Sequence, residues 1–216
     1  MIKAIIFDLD GTLLDTSRDI RKVLNESLER FGLPAVSMEN TLKYLGNGAR
    51  KLVARAVGGN DLKLIDEVYG DYFKRFAECD NKLTTLYDGE REVLERFLNI
   101  GIRLAVLTNK PQKAAERVVK QLLGEIGFEY IYGDSPEHPL KPNPATTLEI
   151  MAKLGVEKSE TLFVGDGDAD AKTAANAGIR CVSALWGFRT QSELESAGAT
   201  EFARNFKELE NKVFFA

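Results

Sequence analysis

Apolar residues group along this chain in two ways: short runs that end abruptly in polar residues, and longer stretches in which they recur every three or four positions. Ala4-Ile5-Ile6-Phe7, Arg103 to Leu107, Thr161 to Val164 and Arg180 to Ser183 are of the first kind. Short runs bounded by turn signals predict strands buried on both faces, the pattern of a parallel sheet. Phe128 to Tyr132 predicts a further short strand.

The second kind predicts helices. Asp15-Thr16-Ser17 offers N-cap chemistry, and Ile20, Val23, Leu24, Leu28 and Phe31 follow at helical spacing as far as Gly32 and Pro34. Helical pieces run from Met38 to Leu45, Ala49 to Val57 and Asp61 to Phe76, separated by Gly46-Asn47-Gly48 and Gly58-Gly59-Asn60. Nothing between Asp15 and Thr85 has the pattern of a strand. Beyond it, helices over Glu90–Ile100, Gln112–Leu123 and Ala145–Leu154, and one ending at Ala177, alternate with the strands, and short helices close the chain after Gln191. This order predicts an α/β fold: a doubly wound, parallel-sheet, Rossmann-like core built from residues 1–14 and 86–216, with an all-helical domain of residues 15–85 inserted after the first strand.

Composition narrows the function classes. With 216 residues, 44% of them hydrophobic, the chain has the material for a proper core. A formal charge of -4 and a pI near 5.3 give no electrostatic footprint for nucleic acid. Cys79 and Cys181 stand far apart without a CxxC pairing, so both are expected to be reduced. The apolar start is cut short by Asp8, and no run reaches the length of a membrane span, so neither a signal peptide nor a membrane partner is expected. A cytoplasmic protein is the expectation.

The candidate chemistry lies where strands end. Asp8 and Asp10 follow the first run directly, and Gly11 breaks the strand so that both carboxylates can converge. Thr108 and Asn109 follow the next clear strand, Asp166 and Asp170 follow a third, and Lys141 lies in a proline-rich loop between them. In an open parallel sheet these ends share one edge, where ligands bind. Close carboxylates repel unless a cation or proton intervenes, and hard oxygen donors suit Mg²⁺ together with a substrate phosphate. Thr108 and Lys141 suit phosphoryl oxygens. Asp170 reads equally as a first-turn acid of its helix, Asp168 as an N-cap, Thr12 as a brace for the loop, His138 as exposed and Trp186 as a packing residue. In the helical insert, Asn47 and Gly48 read either as a close approach to a ligand or as a plain turn, and Arg50 is a candidate partner for a substrate carboxylate.

Asp8-Leu9-Asp10-Gly11-Thr12, Thr108-Asn109, Lys141 and Gly165-Asp166 with Asp170, in that order, resemble the four motifs of the haloacid dehalogenase superfamily. The helical insert resembles that of members with an α-helical cap. Leu45-Gly46-Asn47-Gly48-Ala49, Val106 to Pro111 and Lys141-Pro142 resemble the phosphoglycolate phosphatase branch. The resemblance implies a Mg²⁺-dependent phosphatase of a small phosphorylated metabolite, 2-phosphoglycolate foremost. Asp8 would be the nucleophile and metal ligand, and Asp10 the acid–base, with its carbonyl on the metal. Asp166 and Asp170 would complete the metal set; Gly11, Thr108, Asn109 and Lys141 would hold the phosphoryl group. Asp10 favours phosphoryl transfer over dehalogenation, since a halide needs no proton. Gly167 departs from the pattern, standing where many relatives carry Ser or Thr. A pyrophosphatase, a sugar-phosphate mutase and a non-catalytic binding module remain alternatives, and monomer or homodimer is left open.

Overall fold

All four residues of the first strand, β1 (Ala4–Phe7), are fully buried, because another strand flanks each edge and helices cover both faces. The computed structural model describes residues 1–214. β1 pairs in parallel with β4 (Arg103–Pro111) on one side and β6 (Thr161–Gly165) on the other. The register is matched on both sides: Phe7 lies level with Val106 and with Val164. The six-stranded sheet is completed by β5 (Phe128–Asp134) beyond β4, and by β7 (Arg180–Ala184) and β8 (Phe202–Ala203) beyond β6. The chain therefore leaves β1 toward one edge and returns to its other side, which makes the carboxyl end of β1 the switch point of the fold.

Alternate residues of β1 feed two separate cores. Ile5 and Phe7 join Leu104, Val106, Leu162 and Val164 under α5 (Glu90–Asn99), α6 (Gln112–Leu123) and the C-terminal α10 (Phe206–Phe214). Ala4 and Ile6 face the opposite way, joining Ala105, Leu107 and Phe163 under α7 (Ala145–Leu154) and α8 (Asp168–Ala177). This is the doubly wound arrangement expected from the sequence.

A third core belongs to α1 (Ser17–Arg30), α2 (Met38–Tyr44), α3 (Ala49–Val57) and α4 (Leu62–Ala77), where Leu24, Leu28, Val53, Val68 and Tyr72 interlock. The chain enters and leaves this helical unit through a two-stranded antiparallel ribbon, β2 (Leu14–Asp15) with β3 (Thr85–Leu86). Two paired residues are too few to produce a periodic signal, so the expectation of no strand at these seams is corrected. Buried Asp19 reinforces the junction: it accepts hydrogen bonds from the Leu83 amide (3.0 Å) and the Thr84 hydroxyl (2.7 Å).

Several local expectations change. β4 continues past Leu107 to Pro111, which pairs with Asp134 after an irregularity in the ladder. Thr16 occupies the N-cap of α1 without capping it. Gly167, not Asp168, is the N-cap of α8; Asp168 begins the helix and pairs with Lys172 one turn on. His138 is half-buried, with its ring stacked 4.0 Å from that of Tyr132. After Gln191 the chain forms α9 (Gln191–Ser196) and α10 as expected, and it also adds β8 to the sheet edge. No described helix is long and apolar enough to cross a membrane.

Candidate active site

Beyond Phe7 the chain folds back on itself. The carbonyl of Leu9 accepts the amides of Thr12, Leu13 and Leu14, and Gly11 turns the corner with φ +92°. This tight loop sends both Asp8 and Asp10 into one cavity at the switch point. Thr108, Asn109, Lys141, Asp166 and Asp170 line the same cavity, so groups far apart in sequence are gathered by the matched register of β1, β4 and β6. The irregularity after Leu107 lets three consecutive residues, Thr108 to Lys110, all reach it.

Lys141 sits at the centre of the charge network. Its ammonium lies 2.7 Å from Asp8 Oδ1 and 2.6 Å from Asp170 Oδ1, and the side chain is almost wholly buried. Asn109 positions it, accepting the Lys141 amide at 2.7 Å and donating to its carbonyl. Asp170 also accepts the Gly167 amide at 2.9 Å. Asp166 accepts the Thr12 hydroxyl at 3.0 Å and the Phe188 amide at 2.7 Å, so Thr12 ties the loop after β1 to this acid. Trp186 packs on Phe206 as expected, while its indole N–H holds the Thr12 carbonyl at 2.9 Å.

Asp8, Asp166 and Asp170 each bring a carboxylate oxygen within 4.8 Å of the others. One ammonium does not balance three buried carboxylates. Burial, then the Asp170 charge, pushes the Asp8 carboxyl up to about 8 despite Lys141. Burial and Asp170 likewise push Asp166 up to about 7. Burial alone would lower the Lys141 ammonium, but Asp170 and Asp8 together carry it above its ordinary value. The set is all oxygen, negatively charged in excess and braced by neutral donors, which is the chemistry of a divalent-cation site. Space is close-fitted too: a Cβ at Gly11 or at Gly187 would overlap the Asp166 carboxylate. Gly11→Ala is therefore expected to weaken divalent-cation binding at least ~10-fold in an isothermal titration, by displacing Asp166.

The raised carboxyls also set a pH dependence. Their protons, held in the folded state and lost from the unfolded chain near pH 4, stabilise the metal-free protein at the acid end of the range. That contribution is lost as pH rises through about 7 and about 8. Melting temperature in chelator should thus fall between about pH 5 and about pH 9, and added divalent cation should recover more of it at the higher pH.

The family profile of haloacid dehalogenase-like hydrolases matches residues 5–184, a span that carries every strand-end acid described here. The chain belongs to that family. A phosphoglycolate phosphatase of Pseudomonas syringae pv. tomato is 36% identical over 195 residues, covering 86% of this chain and 70% of the relative. One from Vibrio parahaemolyticus is 33% identical, covering 96% of this chain and 94% of its own. A solved structure from Lactobacillus delbrueckii subsp. bulgaricus, a candidate phosphoglycolate phosphatase, superposes with a TM-score of 0.91 at 28% identity, covering 98% of each chain.

Within this haloacid dehalogenase-like hydrolase, two residues expected near the ligand lie elsewhere. Arg50 points away from the cavity and pairs with Asp66 of α4 at 2.7 Å, both half-exposed. The side chain of Asn47 is taken by Arg55, which donates to its Oδ1 at 2.7 Å. Along α3, Ala49 and Leu52 face the cavity, while Arg50 and Arg55 are exposed on its two flanks. Gly48 does line it, and Gly46 offers its carbonyl to Asn109 at 3.2 Å.

Other residues reach the site without having been singled out by the sequence. Lys110 pairs with Asp10 Oδ1 at 2.7 Å, and Thr16 donates its hydroxyl to the same oxygen at 2.7 Å. Arg189 donates to the Leu42 and Leu45 carbonyls, each at 2.7 Å, tying the loop after β7 to the helical insert. Lys110 was legible by its place beside Thr108-Asn109. Arg189 carried no local signal.

Proposed function

We propose that this hydrolase is a Mg²⁺-dependent phosphatase that cleaves a small phosphate monoester, 2-phosphoglycolate foremost, through an aspartyl-phosphate on Asp8. The observation that carries the reading is the gathering of Asp8, Lys141, Thr108 and the acids Asp166 and Asp170 around one cavity with Asp10 beside them. The names of relatives sharing about a third of their residues with this chain support the substrate class.

Asp8, Asp166 and Asp170, with the main-chain carbonyl of Asp10, would hold the Mg²⁺. When bound, the ion supplies charge that lets a carboxylate approach an anionic phosphate. Lys141 holds Asp8 in place and places a positive charge where the phosphoryl oxygens arrive. Thr108 and the Asn109 amide offer donors to those oxygens. Asp8 Oδ forms the new bond to phosphorus while the bond from phosphorus to the ester oxygen breaks, and Asp10 gives its proton to the departing alkoxide. Asp10 then takes a proton from water as that oxygen attacks phosphorus, and Asp8 leaves as the free carboxylate. Inorganic phosphate and the alcohol are the products.

Residues 15–85 act in this reading as a cap on the core of residues 1–14 and 86–216. The cap side of the cavity is apolar, with Ile20, Leu52, Tyr72 and Phe76, which excludes water from the aspartyl-phosphate as it forms. Phosphate release from a panel of phosphorylated metabolites with Mg²⁺ tests the substrate. The highest kcat/KM is expected on 2-phosphoglycolate; comparable rates across many sugar phosphates would overturn that choice.

A further inference from the structure

We infer that Lys110 is the residue that selects the leaving group, its ammonium meeting a carboxylate carried next to the ester oxygen. The inference rests on the phosphatase reading and adds to it the receptor for the far end of the substrate.

The phosphoryl end of the cavity is occupied by Asp8, Thr108 and Lys141; Asp10 marks the side on which the alcohol departs. Lys110 Nζ lies 2.7 Å from Asp10 Oδ1, so it stands beside the departing oxygen. Its side chain is only 2% exposed, and the ammonium sits 4.6 Å from the centre of the Phe76 ring. Ile20, Leu52 and Tyr72 line the same cavity. An ammonium buried in such surroundings is costly unless anions meet it. Among the described residues its hydrogen-bonding side chain is Asp10, through a single oxygen already shared with Thr16. An ammonium has three donors, so two N–H groups remain for a ligand.

The other cations are committed. Lys141 bridges Asp8 and Asp170, both terminal nitrogens of Arg189 hold helix-end carbonyls, and Arg50 lies outside with Asp66. A carboxylate one carbon from the ester oxygen therefore has Lys110 as its partner. A leaving group ending in a methyl would leave that ammonium's donors unmet, which is how a polar site rejects an apolar analogue.

The test compares kcat/KM for 2-phosphoglycolate and for ethyl phosphate, which has a methyl in place of the carboxylate, using the full chain with Mg²⁺. The wild type is expected to favour 2-phosphoglycolate. Lys110→Met should lower the ratio of the two values roughly 10- to 100-fold, and Lys110→Arg should restore much of it. Lys110→Gln gives the same ratio should the methionine variant melt early. An unchanged ratio, even with both rates reduced, would overturn the assignment and show that Lys110 acts only through Asp10. A wild type without the preference would instead overturn the substrate reading, and this inference with it.

Discussion

Asp8→Asn is expected to lower phosphate release by at least ~10⁴-fold while the protein stays folded. The amide has the shape of the carboxylate but cannot attack phosphorus, and the neighbouring acids are held by other partners: Asp170 by Lys141 and the Gly167 amide, Asp166 by Thr12 and Phe188, and Asp10 by Lys110 and Thr16. The amide is also neutral, the state that burial and the Asp170 charge already favour for Asp8 below about pH 8 without metal. Burial and the Asp170 charge work against ionised Asp8, so the variant should melt no lower than wild type in chelator at neutral pH. Full turnover in Asp8→Asn would end the covalent mechanism. A variant that is inactive because it is unfolded would contradict the expected melting behaviour.

Lys141→Met should damage stability and rate together. It removes the ammonium that bridges Asp8 and Asp170 and leaves two buried carboxylates without their cation. Breaking a buried pair by deleting one partner costs roughly 3–5 kcal/mol, and losing a charge aimed at the phosphoryl oxygens costs a further ~10²–10³-fold in kcat. Urea unfolding in chelator at about pH 8 should show the stability loss, and divalent cation should restore part of it. The loss should shrink toward about pH 5, well below the raised Asp8 carboxyl, where that group is neutral. A variant as stable as wild type at the higher pH would show that Lys141 does not balance these acids.

Much of the frame was legible along the chain. β1, β6 and the first half of β4 are short apolar runs with no alternation, too short for helices and bounded by turn signals, which is the pattern of strands covered on both faces, so the parallel sheet followed from Ala4–Phe7 and its counterparts. The helices over Ala49–Val57, Gln112–Leu123 and Ala145–Leu154 fell where the apolar spacing put them. The strand-end acids, Thr108 and Lys141 were legible as well, since the ends of parallel strands share an edge whatever the details of packing.

What failed was whatever depended on phase and on partners remote in sequence. Arg50 looked suited to a carboxylate, yet the turn of α3 aims it at Asp66. Thr16 looked like a helix cap, yet Asp10 takes its hydroxyl. β2 and β3 are two residues each, below the length at which periodicity exists.

Taken alone, the sequence determined the layered fold, the long helical insert and the edge of the sheet on which acids and a lysine meet, because burial imposes a repeating pattern on each element. Only the tertiary structure decided which charge answers which: Lys141 for Asp8 and Asp170, Lys110 for Asp10, and Arg189 for the carbonyls that end α2. Such pairings act between groups brought within 3 Å by strand register and helix phase, and neither leaves a trace in the local order of residues.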